Sequence, residues 1–408
     1  MASNVLERAA VNWDPYNPVH FANPYPAFRR LREEAPVYYN EQYDFYAVSH
    51  YDDVVRGLGD RDAFISRHGS VIDIIKSRFP IPDGLFIFHD PPKHTNYRGL
   101  LTKMFTPKRV AGLEAQIRAF CARALDPLVE GGELDFIADL GLEMPLRVIG
   151  MLLGIPDEDL KSHQTRMNEQ SRIEPGQAQE MHSLGGEEFE EYVDWRIANP
   201  SDDIMTDLLH TEFVDGQGVK RRVSREEVLV LVNLLIGAGN ETTNRLIGWT
   251  AKTLAEHPDQ RRQIYEDRSL IPQAIEEVLR FEPPGPSVAR VVAEDSEFHG
   301  VTIPKDSTLL CLVGAANRDE AKFKNGETFD INRERVAHLT FGYGFHACIG
   351  NALARIEGRI ALDEVLNRFP EWDVDLDNAS LTCSVNVRGW ETLPAYTPKS
   401  KRGIVSRG

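Results

Sequence analysis

Apolar residues recur at helical spacing over four stretches, roughly 108–129, 140–153, 187–197 and 224–256, and each predicts a helix packed along one face. The last stretch is the longest. It opens on Ser224-Arg225-Glu226-Glu227, a capping box with Ser at the N-cap and Glu three residues on, and stops before His257-Pro258. About thirty helical residues would span roughly 45 Å, the width of a whole domain. Its middle carries Gly237-Ala238-Gly239-Asn240-Glu241-Thr242-Thr243. Two glycines cost a helix about 1 kcal/mol each relative to alanine, and threonine hydroxyls can bond back to carbonyls and loosen the ladder. A break is expected there. It serves packing alone, or it opens a groove where Glu241 and a threonine deliver protons to a bound ligand.

Alternating patterns are fewer. Tyr38-Tyr39-Asn40 and the run from Phe45 to Ser49 flank a polar turn and predict a hairpin. Further strands are expected near 286–313 and 380–396. Loops are expected over 79–92, 173–186 and 215–222. The segment 66–89 is rich in Ile and Phe without a clear period, which fits either core packing or a pocket wall. No stretch reads as an interdomain linker. The fold class is mainly α with small β-sheets, in one unit spanning 1–408.

With 42% hydrophobic residues, 408 residues can bury a large core. The net charge of −17 argues against a nucleic-acid partner. Cys121, Cys311, Cys348 and Cys383 form no CxxC pair and read as reduced thiols. Residues 1–8 hold no apolar leader, and nothing approaches the roughly 20 apolar residues of a bilayer span. A cytoplasmic protein with no membrane association is expected.

The chemistry concentrates in Phe341-Gly342-Tyr343-Gly344-Phe345-His346-Ala347-Cys348-Ile349-Gly350, which runs into a helical pattern from Asn351. A cysteine at a helix N-terminus is biased toward thiolate, the form that ligates iron. Other readings are a buried structural cysteine and a nucleophile with His346 as base; the i, i+2 spacing makes that pairing poor. A further reading is a dinucleotide fingerprint, because Gly342-x-Gly344-x-x-Ala347 fits its pattern. The loop alone leaves ligand and fingerprint open. Two other signals are individually weak: Glu277 and Arg280, at i and i+3 on one helical face, and Phe329-x-x-x-Arg333 downstream.

Together these segments resemble the cytochrome P450 superfamily, the soluble bacterial haem-thiolate monooxygenases. Four matches fall in the family's order: Ala238-Gly239-Asn240-Glu241-Thr242-Thr243, Glu277-x-x-Arg280, Phe329-x-x-x-Arg333, and Phe341-x-x-Gly344-x-His346-x-Cys348-x-Gly350. The resemblance covers nearly the whole chain. It implies a triangular helical prism with the long central helix over the haem. It implies haem b (iron protoporphyrin IX) with the Cys348 thiolate on the metal, Phe341 packed near the sulfur, and Gly350 allowing the turn into the next helix. It gives Glu241 and Thr242 the catalytic handling of protons for O2. Glu277, Arg280 and Arg333 would form a structural lock. For the haem propionates it implies His94 and Arg98, at i and i+4, together with Arg290 and His346.

The partners implied are O2, a small hydrophobic substrate of terpenoid, steroid or fatty-acyl type, and a ferredoxin with its NAD(P)H-dependent reductase; a monomer is expected. No acidic residue interrupts the stretch between Pro91 and Val110, which carries Lys93, Arg98, Lys103, Lys108 and Arg109. With Arg355 and Arg359 it would steer an acidic ferredoxin. The pocket is expected from 66–89, 234–242, Ser287-Val288-Ala289 and Ser384-Val385-Asn386-Val387. Two rival readings keep the same haem: a peroxide-driven hydroxylase and a haem-binding sensor without turnover. The Glu241-Thr242 pair speaks against both.

Overall fold

The structure, a computed structural model, describes residues 11–156, 185–382 and 387–400. The central helix runs unbroken from Arg225 to Glu256, 32 residues or about 48 Å. Its capping box is formed as the sequence predicts, with Ser224 Oγ accepting from Glu227 N and the Glu227 carboxylate accepting from Ser224 N. The expected break is absent. Thr242 Oγ1 does bond back to the Ala238 carbonyl, at 2.8 Å, but the helix absorbs this without interruption. Buried turns on both sides, from Val228 to Ile236 and from Thr243 to Leu254, supply packing that outweighs the propensity cost of Gly237 and Gly239.

Around this helix pack Met144–Leu153, the π-helical turn Phe136–Gly141, Ile271–Phe281 and the proximal helix Asn351–Arg368. Close approach is enforced by small residues. A Cβ on Gly141 would lie 2.5 Å from Asn244 Oδ1, and one on Gly358 would lie 3.0 Å from Leu246. One apolar cluster reaches from Phe86 to Ala395 through this packing.

To one side lies a five-stranded sheet in the order Val37–Asn40, Phe45–Val48, Thr308–Cys311, Val288–Val292, Phe64–Ile65. The expected hairpin pairs antiparallel with Tyr38 opposite Ala47. Thr308–Cys311 joins it parallel and places Leu309 opposite Arg290 on the next strand. That register fixes where the Arg290 side chain enters the interior.

Several expectations change in detail. The stretch 108–129 splits into Pro107–Ala111 and Glu114–Leu125, parted at Gly112. The expected loop 215–222 is mostly a hairpin: Lys220–Arg222 pairs with Glu212–Val214, and Asp215 Oδ1 accepts from Gln217 N and Val219 N to close the turn. Its second strand is Lys-Arg-Arg, so no apolar alternation announced it. The segment 66–89 contains the helix Ile72–Ser77 and a 3-10 turn, and Ile74, Leu85 and Phe88 pack on Val230 of the central helix. Most of the expected loop 173–186 lies outside the described residues.

Candidate active site

The cysteine loop is shaped by its glycines. Gly342 and Gly344 adopt φ of 73° and 70°, left-handed angles at which a side chain is strained. A Cβ on Gly344 would also sit 3.3 Å from the Gly59 Cα. The turn returns the Cys348 N–H to the Phe341 carbonyl at 2.7 Å, and Gly350 caps the proximal helix. Cys348 thus stands just ahead of a helix N-terminus, as expected. Burial pushes its thiol up, while the Gly350 N–H and the Arg98 and Arg355 guanidiniums pull it back toward thiolate.

Cys348 faces a cavity with an empty volume of about 900 Å3, including its open part. Across it stand Ala238, Gly239, Thr242 and Thr243 of the central helix. The walls between are apolar, drawn from Leu235, Leu246, Leu279 and Leu353. Pro284 and Gly285 line it rather than Ser287-Val288-Ala289, and residues of 66–89 are not among its lining. Ser384, Val385 and Asn386 lie outside the described residues.

Beside the loop, four cation-capable side chains converge. The His94 and His346 rings are 4.3 Å apart edge-on, and Arg98 Nη2 donates to the Ala347 carbonyl at 2.6 Å. His94 is only 1% exposed, yet neither of its ring nitrogens has a partner; nor do His346 Nε2 and Arg290 Nε. Burial lowers the His94 imidazole to about 4, helped by Arg98, His89 and Arg290. Burial, Arg290 and His94 lower His346 to about 2. Orphaned donors of this kind are costly unless an anion meets them. Two carboxylates on one ligand beside a thiolate would satisfy the set.

The described residues hold no group of three or more His, Cys, Asp and Glu placed for a metal ion. The thiol, the apolar cavity and the buried nitrogens of His94, His346 and Arg290 that lack partners fit iron protoporphyrin, whose metal Cys348 would hold and whose propionates His94, Arg98, Arg290 and His346 would meet.

The two residues expected to handle protons part company. Thr242 lines the cavity. Glu241 is not among the lining residues; its carboxylate lies 3.6 Å from Arg245 on the next turn. Burial raises the Glu241 carboxyl and Arg245 opposes the rise. Arg245 is itself tied to the Trp390 carbonyl.

The charge lock assembles fully. Arg280 binds Glu277 through two hydrogen bonds of 2.7 and 2.8 Å, and Arg333 Nε reaches Glu277 Oε1 at 3.1 Å. Arg280 also donates to the carbonyls of Asn317, Gly326 and Thr328, which hangs the loop leading to Cys348 on this pair. Sequence reasoning missed Glu357, a buried carboxyl that lines the cavity. The available signal was its spacing: it falls four residues after Leu353, on the apolar stripe of the proximal helix.

Comparison with known proteins agrees with this chemistry. Residues 178–382 match the Cytochrome P450 family model. The chain is 32% identical to the vitamin D(3) 25-hydroxylase of Pseudonocardia autotrophica, over 93% of this chain and 95% of that one. The solved structure of cytochrome P450 CYP109Q5 from Chondromyces apiculatus superposes with a TM-score of 0.84 at 32% identity, covering 97% and 99% of the two chains. That of CYP109E1 from Bacillus megaterium in complex with testosterone gives 0.82 at 30%, covering 93% and 98%. Among the described residues no helix is long and apolar enough to cross a membrane. The chain belongs to the cytochrome P450 family of haem-thiolate monooxygenases, which carry haem b on a cysteine thiolate.

Proposed function

We propose that this monooxygenase hydroxylates a hydrophobic organic substrate of the terpenoid, steroid or fatty-acyl kind, with electrons supplied by a ferredoxin. The observation that carries the reading is the apolar cavity with Cys348 on one side and Thr242 on the other. Haem, when bound, supplies the centre at which O2 is reduced. Cys348 Sγ would ligate its iron, and His94, Arg98, Arg290 and His346 would hold its propionates. Phe341, Ala238, Gly344 and Gly350 would let a flat ring lie against the chain. Thr242 positions a proton near the reacting oxygen, with Glu241 as the acid expected to supply it.

The substrate class is supported by the leucines lining the cavity. It is also supported by two similar proteins, one named as a vitamin D(3) hydroxylase and one solved with testosterone. The donor is supported by charge. Lys93, Arg98, Arg109 and Arg355 are engaged within the chain, by Asp83, the Ala347 carbonyl, Asp207 and Glu276. Lys103 and Lys108 are exposed and, with Arg359, remain for an acidic partner.

The test is the absorption spectrum of dithionite-reduced protein under carbon monoxide. A strongly red-shifted Soret band in the wild type and its loss in Cys348→Ala is the expected result; retention in Cys348→Ala overturns the ligand assignment. Ferredoxin-supported reduction should slow with rising salt, and in Lys103→Glu/Lys108→Glu. Salt-insensitive reduction would reject the docking.

A further inference from the structure

A second cavity lies between the central helix and the proximal helix, with about 270 Å3 of empty volume. Ile247, Ala361 and Val365 form its walls, and Phe136, Leu140 and Trp372 close it. All six are buried, none more than 4% exposed. The π-helical turn Phe136–Gly141 accounts for the space. The Leu142 N–H reaches back five residues to the Ile137 carbonyl, at 2.8 Å, and a turn closed that way is wider than an α-helical one. The only polar side chains of the lining are engaged: Thr250 Oγ1 donates to the Leu246 carbonyl at 2.7 Å, and Trp372 Nε1 to the Ala251 carbonyl at 3.0 Å. A water entering would give up hydrogen bonds and find none, so the cavity stays dry and suits an apolar guest. Its space exceeds what one small molecule needs. The reaction cavity adjoins it. Leu246 and Glu357 line the reaction cavity, and the next residue on each helix, Ile247 and Gly358, lines this one. The partition is thin at Gly358, where a Cβ would lie 3.0 Å from Leu246 Cδ2. With only hydrogen at that place, the Leu246 side chain can change rotamer and let a small guest by.

We propose that this cavity docks small apolar gases and passes O2 to the reaction cavity past Leu246. The role in O2 supply rests on the haem monooxygenase reading; the gas site itself does not. O2 carries no charge and no dipole, so it leaves water for apolar surroundings, and a dry cavity concentrates it. An organic substrate of the proposed class is too large for this space. The two reactants therefore occupy separate chambers, and substrate filling the reaction cavity leaves O2 a place to wait beside it.

The test is diffraction from crystals of the holoenzyme pressurised with xenon, paired with flash photolysis of its carbon monoxide complex. Xenon should appear between Ile247, Ala361 and Trp372 in the wild type. It should be lost from there in Ala361→Leu, which fills the space. Rebinding of photolysed carbon monoxide should show a xenon-sensitive phase in the wild type that Ala361→Leu lacks, with the red-shifted band present in both. No xenon at that place in the wild type overturns the gas site. Xenon there, with the same rebinding in both proteins, overturns passage to the reaction cavity. If Ala361→Leu does not fold, Val365→Ile narrows the cavity from the same helix by one methylene and takes its place. Absence of the carbon monoxide band from the wild type would remove the monooxygenase reading and the O2 role with it, while the xenon map still decides the gas site.

Discussion

The Arg355 guanidinium lies 4.3 Å from the centroid of the Phe341 ring and is pinned there by Glu276 through two hydrogen bonds of 2.6 and 3.1 Å. His338 reaches the same carboxylate at 3.3 Å. Burial opposes ionisation of Glu276, but the hydrogen bonds from His338 and Arg355 outweigh it and hold the carboxyl at about 2. The folded value lies below the ordinary one, so this stabilisation is present above the usual carboxylate range and is lost as pH falls toward 2. The pair is about one-third exposed, and solvent screening limits it to about 1 kcal/mol. Glu276→Gln should lower Tm slightly at neutral pH and flatten its acid limb between about 4 and 2. A thermal melt series across that range checks it; an unchanged acid limb would show that the clamp contributes nothing to folding.

The lock should weigh more. Glu277 and Arg280 are 4% and 2% exposed, and removing one member leaves the other charged and buried. Glu277→Gln should cost about 3–5 kcal/mol by denaturant unfolding. A loss under about 1 kcal/mol would mean that the carbonyls of Asn317, Gly326 and Thr328 suffice for Arg280.

Arg290→Leu tests the cationic cluster. Removing the guanidinium takes away one anion-binding group that now has an unpartnered Nε. Haem should be lost faster to an apomyoglobin trap, by on the order of tenfold for about 1.4 kcal/mol. Equal loss rates would take Arg290 out of propionate binding.

Thr242→Ala should retain haem and send reducing equivalents to peroxide, measured as peroxide formed per NADH consumed. Unchanged coupling would remove Thr242 from the proton path.

Much of this was legible in sequence because it depends on local chemistry. Ser224 and Glu227 announce the central helix, His257-Pro258 ends it, and glycine spacing around Cys348 announces a turn tight enough to cap the next helix. The unread parts depend on distant packing. Nothing local reveals that Glu357 is buried and lines the cavity, because acids on helices usually face water. The Glu241–Arg245 pair has helical spacing, but only the fold shows that Arg245 is buried with its guanidinium 3.6 Å from the acid. The pocket walls arise where separate loops meet, which no window along the chain captures.

The bond from Thr242 to the Ala238 carbonyl makes the threonine a toggle. A hydroxyl has one proton, and here the backbone already claims it, so a lone pair is what the resting side chain turns toward the cavity. Guests that donate are welcomed without rearrangement, whereas guests that accept must first win the proton from the helix. A single rotation about the Thr242 Cβ–Oγ1 bond would switch the side chain between accepting from a guest and donating to it.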